Sequence, residues 1–297
     1  MNPNFPAELA RHLAESVRSG RRRYRKRLVC CQEKFSEEAV HELRIETRRI
    51  LALLDLLEAL RFEANLKKLR KTFKKRLDAF DDMRDTHVQL VLLKPLWKDF
   101  PEAREFKALL RKCEKRLAAK LSREIQATKN GRLNRCLKDI EKALRQCEGE
   151  STETYRRDVV QTNLRSAFQR VVVLRRRIRR SEPATIHRMR VAFKRFRYTT
   201  ELLRPFLPRL TSEDLGRMKE YQGAAGEIQD AAVLLARLDK EIKNGELKPK
   251  CVIGLRAELM REERNRIDAF MKRVDQLKDF EPEISTIFAP EQNTVAK

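Results

Sequence analysis

The sequence predicts an all-α protein built from two related helical halves, and three observations carry that expectation. The 297 residues include only 8 glycines and 10 prolines, about half the usual share, so little interrupts a helix. Apolar side chains recur at 3–4 spacing over long stretches, the period of a helix with one buried face. The chain also nearly repeats itself: VHELRIETRRI at 40–50 aligns with IHRMRVAFKRF at 186–196, an offset of 146.

Each half reads as four helices. In the first half they are expected near 6–32, 37–60, 64–92 and 101–147, the last with a break at Asn130-Gly131. In the second half they are expected near 153–180, 184–204, 212–243 and 250–278. Ser36 and Ser181 stand where N-caps belong, and Glu37 and Glu38 suit the positive end of a helix dipole. Pro183 fits a first helical turn, whereas Pro205 and Pro208 stop the helix before them. A second match strengthens the repeat: DMRDTHVQLVLL at 82–93 resembles EIQDAAVLLARL at 227–238, with Asp85 equivalent to Asp230. The polar stretch EGESTET at 148–154 is the natural joint. The expected units are therefore 1–150, 151–280 and a flexible tail over 281–297 that carries Pro282 and Pro290.

Composition narrows the function. Lys and Arg number 68 against 44 Asp and Glu, a formal charge of +24, with 41% hydrophobic residues. That apolar share can fill a core, so wholesale disorder is excluded. The most apolar run, ILALLDLLEAL, is too short to span a bilayer and carries Asp55 and Glu58. The opening MNPNFPAELARHLAESVRSG lacks the apolar centre of a secretion signal, so a cytoplasmic protein is expected. Cys30, Cys31, Cys113, Cys136, Cys147 and Cys251 form no CxxC pair and read as reduced thiols at core or boundary positions.

The repeated block holds two stripes. Val40, Leu43, Thr47, Ile50, Leu54 and Leu57 make a core face, and Ile186, Met189, Phe193, Phe196, Thr200 and Leu203 repeat it. Beside this face run His41, Arg44 and Arg48, at i, i+3 and i+7, spanning about 10 Å at the helical rise. His187, Arg190 and Lys194 form the equivalent row, which Arg197 extends, with Arg49 and Arg195 flanking. Like charges in a row repel, so a row repeated in register and rich in Arg, Lys and His suits a phosphate polyanion. Arg supplies forked donors, Lys a point charge, and His a donor that phosphate would help to protonate.

The doubled H-x-x-R-x-x-x-[KR]-R block, each copy followed some 43–44 residues later by a helix containing R/Q-D, resembles the CHAD domain, the conserved histidine α-helical domain. The likeness spans roughly residues 5–280, and HRMRVAFKRFRY, closed by Tyr198, is the nearer of the two copies. Membership implies two four-helix bundles related by an internal pseudo-twofold axis. It also implies non-catalytic binding of inorganic polyphosphate in a basic groove and association with polyphosphate granules. The positions that carry over are His41, Arg44, Arg48, Arg49, His187, Arg190, Lys194, Arg195 and Arg197. The first half departs after Arg49, where Leu51 and Ala52 stand opposite Arg197 and Tyr198.

Basic tracts precede both blocks, RSGRRRYRKR at 18–27 and RRRIRR at 175–180. They surround a helix, so only part of each can face a ligand; Arg22, Lys26, Arg176 and Arg180 are the candidates. Asp85 and Asp230 read as salt-bridge partners that orient a motif Arg. No catalytic residue, metal or cofactor is expected. HELRI at 41–45 lacks the second His of a zinc protease, and GAAGE at 223–227 lacks the GK[ST] of a P-loop, so close helix packing explains its glycines better. His12 and His87 have no counterparts in the other half and read as incidental. The competing function is non-specific nucleic-acid binding, which the charge permits, although aromatics are only 6% with a single Trp. An enzyme acting on polyphosphate or a nucleotide is the third alternative.

Overall fold

A computed structural model describes residues 5–62, 66–146 and 157–282 of the chain. Its order is α1 (Phe5–Glu33), α2 (Glu37–Ala59), α3 (Leu66–Asp78), α4 (Asp81–Leu93), α5 (Ala103–Gln126), α6 (Gly131–Gln146), α7 (Arg157–Arg176), α8 (Pro183–Leu203), α9 (Ser212–Lys243) and α10 (Ile253–Arg273). Short 3-10 turns follow α4, α8 and α10, and one precedes α10. No strand occurs among the described residues. The fold is all-α.

Local signals account for several boundaries. Ser36 caps α2 by accepting the Ala39 N–H at 3.2 Å, and Glu37 and Glu38 lie in its first turn. Thr211 and Asp214 form a reciprocal capping box at α9. The helix break at Asn130-Gly131 falls where expected, between α5 and α6. Other expectations need correction. Ser181 is not the cap of α8; Glu182 takes that position, with Pro183 in the first turn. Helix α7 ends at Arg176, so Arg177 to Arg180 form a turn, joined by a bridge between Arg179 and Glu182. The segment expected as one helix over 64–92 is two, α3 and α4, parted at Ala79 and Phe80. Among the described residues, six α-helices thus precede residue 147 and four follow. Four and four holds only if α3/α4 and α5/α6 each count as one broken helix. The expected joint at 148–154 and Cys147 lie outside the described residues, as does the tail beyond Pro282.

Every residue of the two expected core stripes is buried. The first runs from Val40 to Leu57 and the second from Ile186 to Leu203. Their threonines satisfy themselves: Thr47 donates to the Leu43 carbonyl at 2.7 Å and Thr200 to that of Phe196 at 3.0 Å. Phe193, Phe196, Tyr221, Phe270 and Phe280 form an aromatic knot joining α8, α9 and the end of α10. Tyr221 donates from its hydroxyl to the Val274 carbonyl at 3.0 Å, so burying its oxygen leaves nothing unpaired.

The core is two clusters, and each draws on both halves of the chain. The larger runs from Leu9 through Leu144 and on to Phe280. The smaller packs Leu90, Leu93, Phe106 and Leu110 against Leu234, Leu238, Leu255 and Leu259. The functional consequence lies between them. Helix α2 packs on α8, and α4 packs on α9, so both motif helices and both R/Q-D helices meet at one place.

Candidate anion-binding site

Cations from three helices converge where α2, α4 and α8 meet. Arg48 on α2 lies within the field of Arg44 and of Arg84 on α4. Lys194 on α8 feels Arg48, Arg190, Arg44 and Arg84, all repelling its charge. Burial comes first among the causes and the repulsion adds to it, so the Lys194 ammonium is pushed down to about 6. The Arg48 guanidinium is lowered for the same two reasons, to about 10. His187 is lowered by burial first, then by Arg190 and Lys194, while Gln229 works the other way. Arg190 is lowered chiefly by burial; Arg84 adds to this, whereas Asp230 and Asp85 oppose it. A folded protein that gathers this many partly buried cations, with carboxylates on only some of them, is primed for an anion.

Two polar nitrogens at this place, His187 Nδ1 and Arg190 Nε, are buried without a hydrogen-bond partner. Such groups cost on the order of 1–3 kcal/mol each, which a ligand oxygen would recover. Among the described residues, no side-chain hydrogen bond or ion pair engages Arg48, Arg190 or Lys194. Gly226 helps to shape the site. It is buried on α9, and a Cβ there would lie 3.1 Å from Arg190 Nε and 3.2 Å from Nη2. The second glycine of GAAGE therefore lets a helix backbone approach a guanidinium, the close packing the sequence suggested.

The remaining site candidates play different parts. Arg44 is only 3% exposed and donates to the Leu77 carbonyl at 3.1 Å and to Asp81 at 2.8 Å. It ties α2 to the α3–α4 break. His41 is exposed at the edge of the row. Arg49 pairs with Glu46 at 2.7 Å and with Glu201 at 3.4 Å. Arg197 shares Glu201 at 3.1 Å, receives Gln222 as acceptor at 3.0 Å, and stacks on Tyr198. Arg195 is mostly exposed and reaches Asp55 at 3.3 Å. The structure thus gathers Arg48, His187, Arg190 and Lys194 and ties Arg44, Arg49, Arg195 and Arg197 into ion pairs.

Arg22, Lys26, Arg176 and Arg180 are exposed, and none is among the principal charges acting on Arg48, Arg190 or Lys194. Arg180 pairs with Asp268 at 3.2 Å. Their neighbours Arg23 and Arg27 turn to α2, pairing with Glu46 and Glu42.

Arg84 is the functional residue that reading the sequence missed. Its guanidinium grips both oxygens of Asp230, at 2.6 and 2.9 Å, and reaches Asp85 at 3.0 Å. The two repeat-equivalent aspartates do hold an arginine, as expected, but it belongs to α4 and not to a motif helix. Carboxylates therefore border a site that the motif face alone would leave purely basic. The available signal was the pairing of Arg84-Asp85 with Gln229-Asp230 in the aligned blocks. His87, read as incidental, is buried between Glu114 at 3.3 Å and Glu37 at 3.7 Å. His12 packs on Phe206 and bonds the Leu202 carbonyl at 2.8 Å. No group of His, Cys, Asp and Glu able to hold a metal occurs among the described residues, and the five cysteines described there are free thiols.

A profile of the CHAD domain family matches residues 20–239 of the chain. The fold is similar to the crystal structure of the CHAD domain from the plant Ricinus communis, with a TM-score of 0.63 and 18% identity. That likeness covers 94% of this chain and 90% of the other. No curated protein sequence matches. The chain belongs to the CHAD domain family. No helix among the described residues is long and apolar enough to cross a membrane.

Proposed function

We propose that the protein binds inorganic polyphosphate, without chemical turnover, at the cation cluster between α2, α4 and α8. The observation that carries this reading is Lys194, whose amine stands among Arg48, Arg190, Arg44 and Arg84 and is held by burial and their repulsion at about 6, so that an anion is needed for it to take up its proton near neutral pH. A chain with one negative charge on each repeating unit, and with oxygens on every side, matches that demand. Its oxygens accept from the guanidiniums of Arg48 and Arg190 and relieve the repulsion among the cations. No partner protein and no cofactor is needed. A basic protein of this kind concentrates where polyphosphate does, which in a cell means polyphosphate granules in the cytoplasm.

Nucleic acid offers the same charge but adds bases. Tyr198, which acts on Arg48 and Arg190, already carries Arg197 on its ring, so a base stacking on that face must displace a cation–π contact. Competition tests the reading. Labelled long-chain polyphosphate is bound near physiological salt, and single- or double-stranded DNA is added at equal phosphate concentration. Polyphosphate stays bound under this proposal; its displacement by DNA favours a general polyanion binder. Loss of polyphosphate chain length during incubation with divalent metal would instead identify an enzyme.

A further inference from the structure

A second basic groove lies on α5, away from the central cluster. It is an open space of about 540 Å³ lined by Trp97, Lys98, Arg104, Lys107, Ala108 and Arg111. Four of the six lining residues are cations and none is acidic. Arg104, Lys107 and Arg111 fall at i, i+3 and i+7, the spacing of the motif rows, so they share one helix face and repel one another. Arg111 is partly neutralised by Glu114 at 2.7 Å. Lys98 and Arg104 have no ion pair among the described residues. The Lys107 ammonium sits over the Trp97 ring, 3.4 Å from its centroid, and the indole Nε1 is buried without an acceptor.

We propose that this groove is a second phosphate-binding subsite, which holds a distal part of the same polyphosphate chain; the proposal rests on the polyphosphate reading of the central cluster. The cations supply the charge that a phosphate chain needs. Lys107 covers the ring face that a nucleobase would need. A base must displace that cation–π contact, whereas a phosphate chain leaves it in place. Trp97 follows Arg84 by thirteen residues along α4 and the turn after it, about 20 Å by helical rise. A long chain can occupy both places and gain avidity, whereas a short oligophosphate reaches only one. Preference for long chains follows.

Trp97 is the single tryptophan of the chain, so its emission reports on the groove directly. The experiment titrates the full-length protein with long-chain polyphosphate, tripolyphosphate or single-stranded DNA, reading Trp emission and, in parallel, binding of a labelled long chain. The comparison variant is Lys98→Ala with Arg104→Ala, both exposed changes that leave Trp97 and Lys107 intact. Long-chain polyphosphate should shift the wild-type emission. The variant should lose that shift and bind the long chain about fivefold or more weakly, with tripolyphosphate affinity unchanged and a salt dependence shallower by about 2 in log–log slope. An unresponsive Trp97 at saturation, or an unchanged variant, removes the subsite while leaving the central reading intact. A wild type that binds no polyphosphate by either readout overturns both. A response to DNA at lower phosphate concentration than to polyphosphate assigns the groove to nucleic acid and overturns the proposal.

Discussion

Arg84 holds Asp230 through two parallel hydrogen bonds of 2.6 and 2.9 Å, joining α4 of the first half to α9 of the second. The same guanidinium reaches Asp85 at 3.0 Å, so one residue bridges both repeat-equivalent aspartates. Replacing it leaves Asp230, largely buried, without its partner. Arg84→Ala should destabilise the protein by about 1–3 kcal/mol, read as a lower midpoint in urea unfolding. A midpoint unmoved by the substitution contradicts the bridge.

Gly226→Ala separates stability from binding. Helix propensity favours Ala by up to about 1 kcal/mol, but the new methyl would meet the Arg190 guanidinium at about 3.1 Å. The Arg190 guanidinium ends a long side chain that no hydrogen bond or ion pair holds among the described residues, so it gives way and the helix does not. The variant should be as stable as the wild type or more so, yet bind polyphosphate several-fold more weakly. Equal affinity would show that Arg190 does not need its present place.

Arg44 and Arg48 stand one turn apart on the same row but do different work. Arg44 is buried and bonded to Leu77 and Asp81, whereas Arg48 is repelled by its neighbours. Arg44→Ala should cost stability on the order of 1–2 kcal/mol, because the buried guanidinium packing and its bond to the Leu77 carbonyl are lost, while the exposed Asp81 is rehydrated. Arg48→Ala should cost little stability and weaken polyphosphate binding instead. Thermal unfolding and binding measured on both variants decide the assignment, and matched losses for the two would undo it.

The pH dependence follows from Lys194. Its folded value is about 6 against an ordinary 10.5, so the unfolded chain takes up its proton first as pH falls. This group's penalty on folding therefore grows from about pH 10.5 down to about 6 and is constant below. Lys194→Met should raise stability at pH 7 by about 1 kcal/mol or more while weakening polyphosphate binding. A bound polyanion lifts the Lys194 and His187 values back up, so binding at pH 7 takes up protons and weakens as pH rises. Calorimetry in two buffers of different ionisation enthalpy measures that uptake; zero uptake contradicts the buried cluster.

Much of this was legible in the chain. The 3–4 stripes from Val40 to Leu57 and Ile186 to Leu203 all proved to be core, because burial on a helix imposes that period on the sequence. The break between α3 and α4 was not legible. No Gly or Pro marks it; buried Phe80 and the tie from Arg44 to Leu77 and Asp81 accompany it, and these are contacts made across the fold. The site residues were legible as a repeated row, but not their division into charges left exposed to a ligand and charges spent on packing. Glu46 with Arg49 and Glu201 with Arg197 are same-helix pairs at i,i+3 and i,i+4 that the spacing already offered, whereas Asp55 opposite Arg195 and Glu201 opposite Arg49 lie on another helix and are set only by the fold.

The most direct measurement is equilibrium binding of labelled long-chain polyphosphate to the wild type and to Arg190→Ala with Lys194→Ala, across a salt series. Both side chains lie in the cluster, and neither holds an ion pair among the described residues, so the fold should survive their loss. The account predicts that the double variant binds at least tenfold more weakly, with a log–log salt slope shallower by about 2 and an unfolding midpoint no lower than the wild type's. Unchanged affinity in a folded double variant would contradict it.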